Sequence, residues 1–397
     1  MRVSRADDSR MSRLWFTLDR TLLIAVLVLL TVGMVVSLAA SPSVAIRKGL
    51  DPFYFVERHL MVSGVCVIVL LSLALFTARE LRRLSLILFF GGVTAMVYVL
   101  AIGPEINGAR RWLRFGGFSL QPSEFVKPAF VVLVGWLLAE RQRRPDMPTI
   151  ALLIAVVVVF AALLRLQPDM GQLVLVVVVA TAMIVLGGLP LIWPAALSGL
   201  AVVALGLAYL TQDYVARRID SFLATDFSGT DQASRAVRSF VDGGFFGRGP
   251  GAGTIKTDLP DAHTDYIFAV LAEEYGVVAC LALLALYGFI VFRAIARAIA
   301  SDDLAVRFAL VGLALMFGGQ ALINMGVNVG LLPAKGMTLP FISAGGSSMV
   351  AISITLGMML ALSCRVPRGV SSATPPIVVA PSDVDAIGEP TGGLRGA

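Results

Sequence analysis

The chain is 397 residues long, 57% of them hydrophobic and only 15% charged. That composition leaves too little polar surface to cover a soluble globule, and it points instead to an integral membrane protein. The formal net charge of +6 suits an anionic lipid surface, but basic cytoplasmic loops produce the same excess; no nucleic-acid partner is expected.

Residues 1–20 form a basic leader (Arg2, Arg5, Arg10, Arg13, Arg20) that runs into a full-length apolar segment. A cleaved secretory signal has a shorter core and a small-residue cleavage site, so the leader is expected to stay attached as a cytoplasmic anchor. About 20 apolar residues cross a bilayer. On that measure roughly ten spans are predicted, at 21–40, 59–78, 84–103, 125–139, 149–166, 170–187, 190–210, 266–292, 306–329 and 347–364. The expected fold class is an all-α polytopic membrane protein with a transmembrane domain over 21–364 and one large extracytoplasmic loop, 211–265. An even count puts both termini on one side. The leader, Arg79/Arg82/Arg83, Arg141/Arg143/Arg144 and Arg293/Arg297/Arg307 then fall in the cytoplasm, as the positive-inside rule requires. The tail, 365–397, is rich in Pro, Gly and Ala and is expected to be a disordered cytoplasmic extension. Cys66, Cys280 and Cys364 lie in or beside apolar runs and read as buried hydrophobes, not a disulfide framework.

The same topology sends many basic residues outside, against the rule. Long loops translocate whatever their charge, which accounts for 211–265 as well as a function would. The short, arginine-rich 104–124 segment escapes that explanation and points to an anion site. Within it, Arg110, Arg111 and Trp112 pair guanidinium groups with an aromatic, a combination suited to phosphate beside a sugar or a lipid boundary. Glu124 and Lys127 share a face of the helix that begins near Pro122, where a glutamate also serves as an ordinary cap. In QPDMGQ, Gln167–Gln172, Asp169 is expected to cap the next helix. Gln320, Asn324 and Asn328 form one polar ridge, open to interhelical hydrogen bonding or to a substrate path. Gly345, Gly346, Ser347 and Ser348 would open the last helix, where free N–H groups favour an anion. The glycine run Gly243–Gly253 has no strand before it and is not a nucleotide motif.

LPDAHTDYIFAVLAEEYG, Leu259–Gly276, places Asp265 where a polar loop becomes a membrane helix. A carboxylate near hydrocarbon is costly and so marks chemistry, although capping or an ion pair would also explain it. His263 stands two residues before it; one imidazole and one carboxylate fall short of a zinc site.

NGARRW, QPSE..K, QPDMGQ, GGFFGRG, LPDAHTDYIFAVLAEE and NMGVNVGLLPAKGMTLPFISAGGSS occur in order, and the chain thereby resembles the SEDS family (shape, elongation, division and sporulation) of cell-wall glycosyltransferases over residues 15–365. Lys335 and Thr338 resemble the division type more than the elongation type. Ala344 stands where a Tyr is common, and Asp261 and Tyr266 replace the more usual Glu and Phe. The resemblance implies polymerisation of lipid II at the outer face of the inner (cytoplasmic) membrane at the division site, with Asp265 as catalytic base. Arg110, Arg111, Trp112, Gln121, Glu124, Lys127, Arg238, His263, Lys335 and Ser347 are then the substrate-binding candidates. It also implies a divalent cation, Mg or Mn, near Asp265 and Glu124, a class B penicillin-binding protein as transpeptidase partner, and other division proteins. A lipid II flippase and a non-catalytic division scaffold are the alternatives. The flippase would place charge along a path through the bilayer, whereas here it gathers at the outer end.

Overall fold

A computed structural model describes residues 18–106, 108–115, 118–223, 232–259, 261–333 and 336–364. The leader to residue 17, the tail 365–397 and Lys335 lie outside the described residues. Twelve α-helices occur among them: α1 (Arg20–Arg47), α2 (Tyr54–Ala74), α3 (Ala78–Ile102), α4 (Pro122–Arg143), α5 (Thr149–Leu166), α6 (Met170–Leu186), α7 (Ile192–Thr211), α8 (Asp213–Leu223), α9 (Gln232–Gly243), α10 (Ile267–Ile299), α11 (Leu304–Asn328) and α12 (Gly346–Leu362). Eight are long and apolar enough to cross a membrane, and α6 and α12 are shorter apolar helices. These ten are the ten predicted spans. A two-stranded hairpin, β1 (Leu113–Phe115) and β2 (Phe118–Leu120), is the small departure from an all-α chain.

The helix ends follow local chemistry. The Asp19 carboxylate accepts from the Leu22 N–H at 3.2 Å, Thr77 and Glu80 close a capping box, and Pro122 opens α4. As expected, Asp169 caps α6, accepting from Gln172 N–H at 3.4 Å. α4 is the centre of the bundle. Its apolar stretch is 89% buried against 11% for peripheral α7, and α3, α11 and α12 pack on it.

The described parts of the 211–265 segment hold more regular structure than its composition predicts. They include α8, α9 and a 3₁₀ turn at Ile255–Asp258. Glu273, fully buried on α10, accepts the backbone N–H groups of Thr254, Ile255 and Lys256 at 2.5, 2.8 and 3.2 Å. Its neighbour Glu274 pairs with Lys256 and accepts from Gly251 N–H at 3.0 Å. These two carboxylates fasten the loop to the helix. Glycines on both sides give that loop its close approach: a Cβ on Gly247 of the glycine run would stand 2.1 Å from the Glu274 carbonyl oxygen, and one on Gly276, where α10 kinks at φ 80°, 2.3 Å from that of Phe245.

Candidate functional site

A cavity of about 430 Å³ opens where α2, the hairpin, the start of α4, residues 261–265 and residues 336–349 converge. Among its lining residues are Arg111, Trp112, Gln121, Glu124, His263, Asp265 and Ser347, seven of the residues singled out in the sequence. Arg58, His59 and Asp261 line it too. Arg58 and His59 escaped the sequence reading because they fall at the boundary of a predicted span; the charged triplet Glu57–His59 at the head of an apolar helix was the signal.

The hairpin QPDMGQ holds the cationic wall in place. Arg111 donates through Nε to the Gln167 carbonyl at 2.7 Å and through Nη2 to that of Pro168, with Nη1 3.7 Å from the Asp169 carboxylate. Gln121 donates to the same carboxylate at 3.1 Å. A guanidinium fixed from behind in this way has little left to order when it meets an anion. Arg110, by contrast, is half exposed, lies 3.7 Å from Glu105 and does not line the cavity. Arg238 sits exposed on α9, also outside the cavity lining.

Glu124 is neither a cap nor an open carboxylate. It accepts from Gln172 Nε2 at 2.6 Å, and its other oxygen lies 2.7 Å from Lys127 Nζ as a close ion pair. Lys127, only 2% exposed, donates onward to Gln320 Oε1 at 2.7 Å, and Gln320 Nε2 donates to the Thr338 carbonyl at 3.1 Å. The Thr338 and Ser348 hydroxyls are 2.6 Å apart. Lys127 is therefore spent on neutralising Glu124 and joining α4 to α11, and it does not reach the cavity. That corrects its expected place among anion contacts.

The approach to Asp265 is locked by backbone bonds. Asn324 and Asn328 donate to the Asp265 carbonyl at 3.0 and 2.9 Å, and Asn328 Oδ1 accepts from Ala269 N–H at 3.1 Å. Ser343 Oγ donates to the Thr264 carbonyl at 2.6 Å, and Ala344 N–H to that of His263 at 2.9 Å. The polar ridge on α11 thus clamps two loops, the hydrogen-bonding alternative left open by its spacing. The N-cap of α10 is Tyr266, without a side-chain cap bond, and Asp265 stands one residue before it. His263 packs on Phe55 with ring centroids 4.7 Å apart, and burial, then the nearby charges of Lys48 and Arg47, push its pKa down to about 4. It is a neutral imidazole at physiological pH.

Asp265, Asp261 and Glu124 line one cavity, yet the described residues hold no group of three or more His, Cys, Asp or Glu placed to bind a metal. The donor set fits a cation shared between one or two carboxylates and a phosphorylated ligand, not a protein cage.

A polytopic helical bundle with a cationic, carboxylate-bearing cavity at one end of its spans defines the class. The family model described as cell cycle protein, FtsW/RodA/SpoVE, matches residues 20–366, and the chain belongs to that family. It is 42% identical over 360 residues to a probable peptidoglycan glycosyltransferase FtsW of Caulobacter vibrioides, covering 90% of this chain and 92% of that protein. A protein of the same description from Pseudomonas fluorescens is 36% identical over 86% of this chain and 87% of its own length. Among solved structures, one described as the structural coordination of polymerization and crosslinking by a peptidoglycan synthase complex superposes with a TM-score of 0.71 at 30% identity, over 87% of this chain and 97% of that one. The rod shape determining protein RodA of Thermus thermophilus gives 0.64 at 28% identity, over 88% and 97%.

Proposed function

We propose that the chain is a division-type peptidoglycan glycosyltransferase of the inner membrane that polymerises lipid II into β-1,4 glycan. The observation that carries the reading is the placement of Asp265, on a backbone held by Asn324 and Asn328, in the same cavity as Arg58 and Arg111. Asp265 takes the proton from the acceptor 4-hydroxyl as that oxygen attacks C1 of the donor sugar. The C1–O bond to the diphosphate breaks, the anomeric centre inverts from α to β, and undecaprenyl pyrophosphate leaves with the electron pair. One displacement needs one base, and the leaving group needs positive charge more than a proton. Arg111 and Arg58 are the cations placed to supply it. Trp112, Gln121, His263 and Ser347 line the sugar and phosphate space, while Glu124 keeps the base of the cavity rigid. Asp265 and Glu124 are the carboxylates that would hold a divalent cation, which would supply charge neutralisation for the leaving group.

The expected transpeptidase partner, a class B penicillin-binding protein, is supported by the likeness to a structure of a synthase complex. We assign the cavity to the outer face, the termini to the cytoplasm, and the bounds 1–20, 21–364 and 365–397 to leader, transmembrane domain and tail.

Purified protein, with its transpeptidase partner, lipid II and divalent cations, is expected to produce glycan strands on a gel. A positioned base contributes about 10²–10⁴ in rate, so Asp265→Asn is expected to lose at least about 100-fold while keeping its melting temperature. Near-normal polymer from that variant removes Asp265 from the mechanism. Lipid II crossing vesicle membranes with no polymer formed would select the flippase instead.

A further inference from the structure

A second cavity, of about 210 Å³, lies at the opposite end of α3, lined by Arg79, Arg82, Arg83, Leu86 and Trp136. α3 is 25 residues, about 36 Å, long, and its far end leads towards Ile106 and Ala109 of the first cavity, so the two sites lie near opposite ends of one membrane-length helix.

The three arginines follow i, i+3, i+4 spacing and share one face. They occupy the first turns of α3, where the helix dipole disfavours positive charge. None of them forms an ion pair among the described residues, and Glu80 is engaged in the capping box with Thr77. Among the other arginines predicted to be cytoplasmic, Arg293 and Arg297 pair with Asp19, Arg143 with Asp303 and Arg144 with Glu140, whereas Arg141 and Arg307, like the trio, form no ion pair among the described residues. Below the trio the same stripe turns apolar and stays exposed, with Leu86 38%, Ile87 69% and Phe90 63% accessible. Trp136, half-buried on α4, closes the side, its indole N–H fixed on Glu140 Oε1 at 3.2 Å. A small groove walled by Leu86, Trp136 and the apolar stems of three arginines, continuous with an exposed apolar stripe, combines positive charge with apolar surface as the headgroup end of an anionic phospholipid requires.

We infer that the Arg79, Arg82 and Arg83 cavity binds the phosphate headgroup of an anionic phospholipid in the leaflet opposite the Asp265 cavity, with its acyl chain along α3. The guanidinium groups chelate the phosphate and Trp136 lies at the glycerol level. The inference stands on this cavity alone and does not depend on the proposed glycosyl transfer.

The test is quenching of Trp136 fluorescence by brominated lipids in bilayers holding the full-length protein, with Trp136→Phe subtracted to remove the other tryptophans. Brominated phosphatidylglycerol is expected to quench Trp136 at a lower mole fraction than brominated phosphatidylcholine. Arg82→Gln and Arg83→Gln should each weaken that preference about fivefold at unchanged melting temperature. Equal quenching by the two lipids, or a preference that survives both substitutions, overturns the inference. Loss of the preference on adding millimolar inorganic phosphate at constant ionic strength would also overturn it, making the site one for a free anion.

Discussion

Two buried charges show how single residues set the cavity's chemistry. Glu124 and Lys127 are 6% and 2% exposed, and each is tolerated because the other is 2.7 Å away and amide groups complete the bonding. Removing one partner of such a pair costs about 3–5 kcal/mol, because the survivor is left charged and dry. Lys127→Met is therefore expected to lower the melting temperature sharply, and the added Glu124→Gln to recover part of the loss in a double-mutant cycle. His263 makes a pH prediction. Its pKa falls from 6.5 to about 4 on folding, so the unfolded chain binds more protons between those values. The contribution to stability is complete above about 6.5 and fades as pH falls towards 4. His263→Gln should flatten that part of the stability profile; an unchanged acid slope would mean that the imidazole is not shielded.

At the level of elements, the ladder of apolar spans was legible because hydrocarbon demands long uninterrupted apolar runs, and all ten were visible in the residue pattern. Helix signals at Asp169, Pro122 and Gly345 were legible for the same reason: capping is local chemistry. Pairings across the fold were not. Nothing in the spacing of Lys127 reveals Gln320, 193 residues later, and so the lysine read as an anion contact when it is a structural counter-ion. Arg58 and His59 were missed because they fall at the boundary of a predicted span, and their place beside the cavity follows from the packing of α2 on α12. The glycine-rich 211–265 segment looked like an open loop because its anchors, Glu273 and Glu274, lie in the following helix. Gly276→Ala tests that anchoring. The new methyl would meet the Phe245 carbonyl at a backbone φ of 80°, so faster hydrogen exchange over residues 244–258 and a lower melting temperature are expected.

Across the whole molecule, the fold places Asp265, Arg58 and Arg111 in one cavity at one end of the spans and, at the other end, an arginine cluster with no ion pair among the described residues. The deep network from Gln172 through Glu124, Lys127 and Gln320 to Thr338 joins α6, α4, α11 and the 336–349 segment, so the cavity wall is built by elements far apart in sequence. Such rigidity is what the proposed role of Asp265 as base requires. The most direct test separates binding from chemistry: lipid II affinity and single-turnover glycan formation, measured side by side for wild type, Asp265→Asn and Arg111→Gln. The account predicts that Asp265→Asn binds lipid II within about threefold of wild type yet forms at least about 100-fold less product, whereas Arg111→Gln loses affinity. Product formation by Asp265→Asn at the wild-type rate would contradict it.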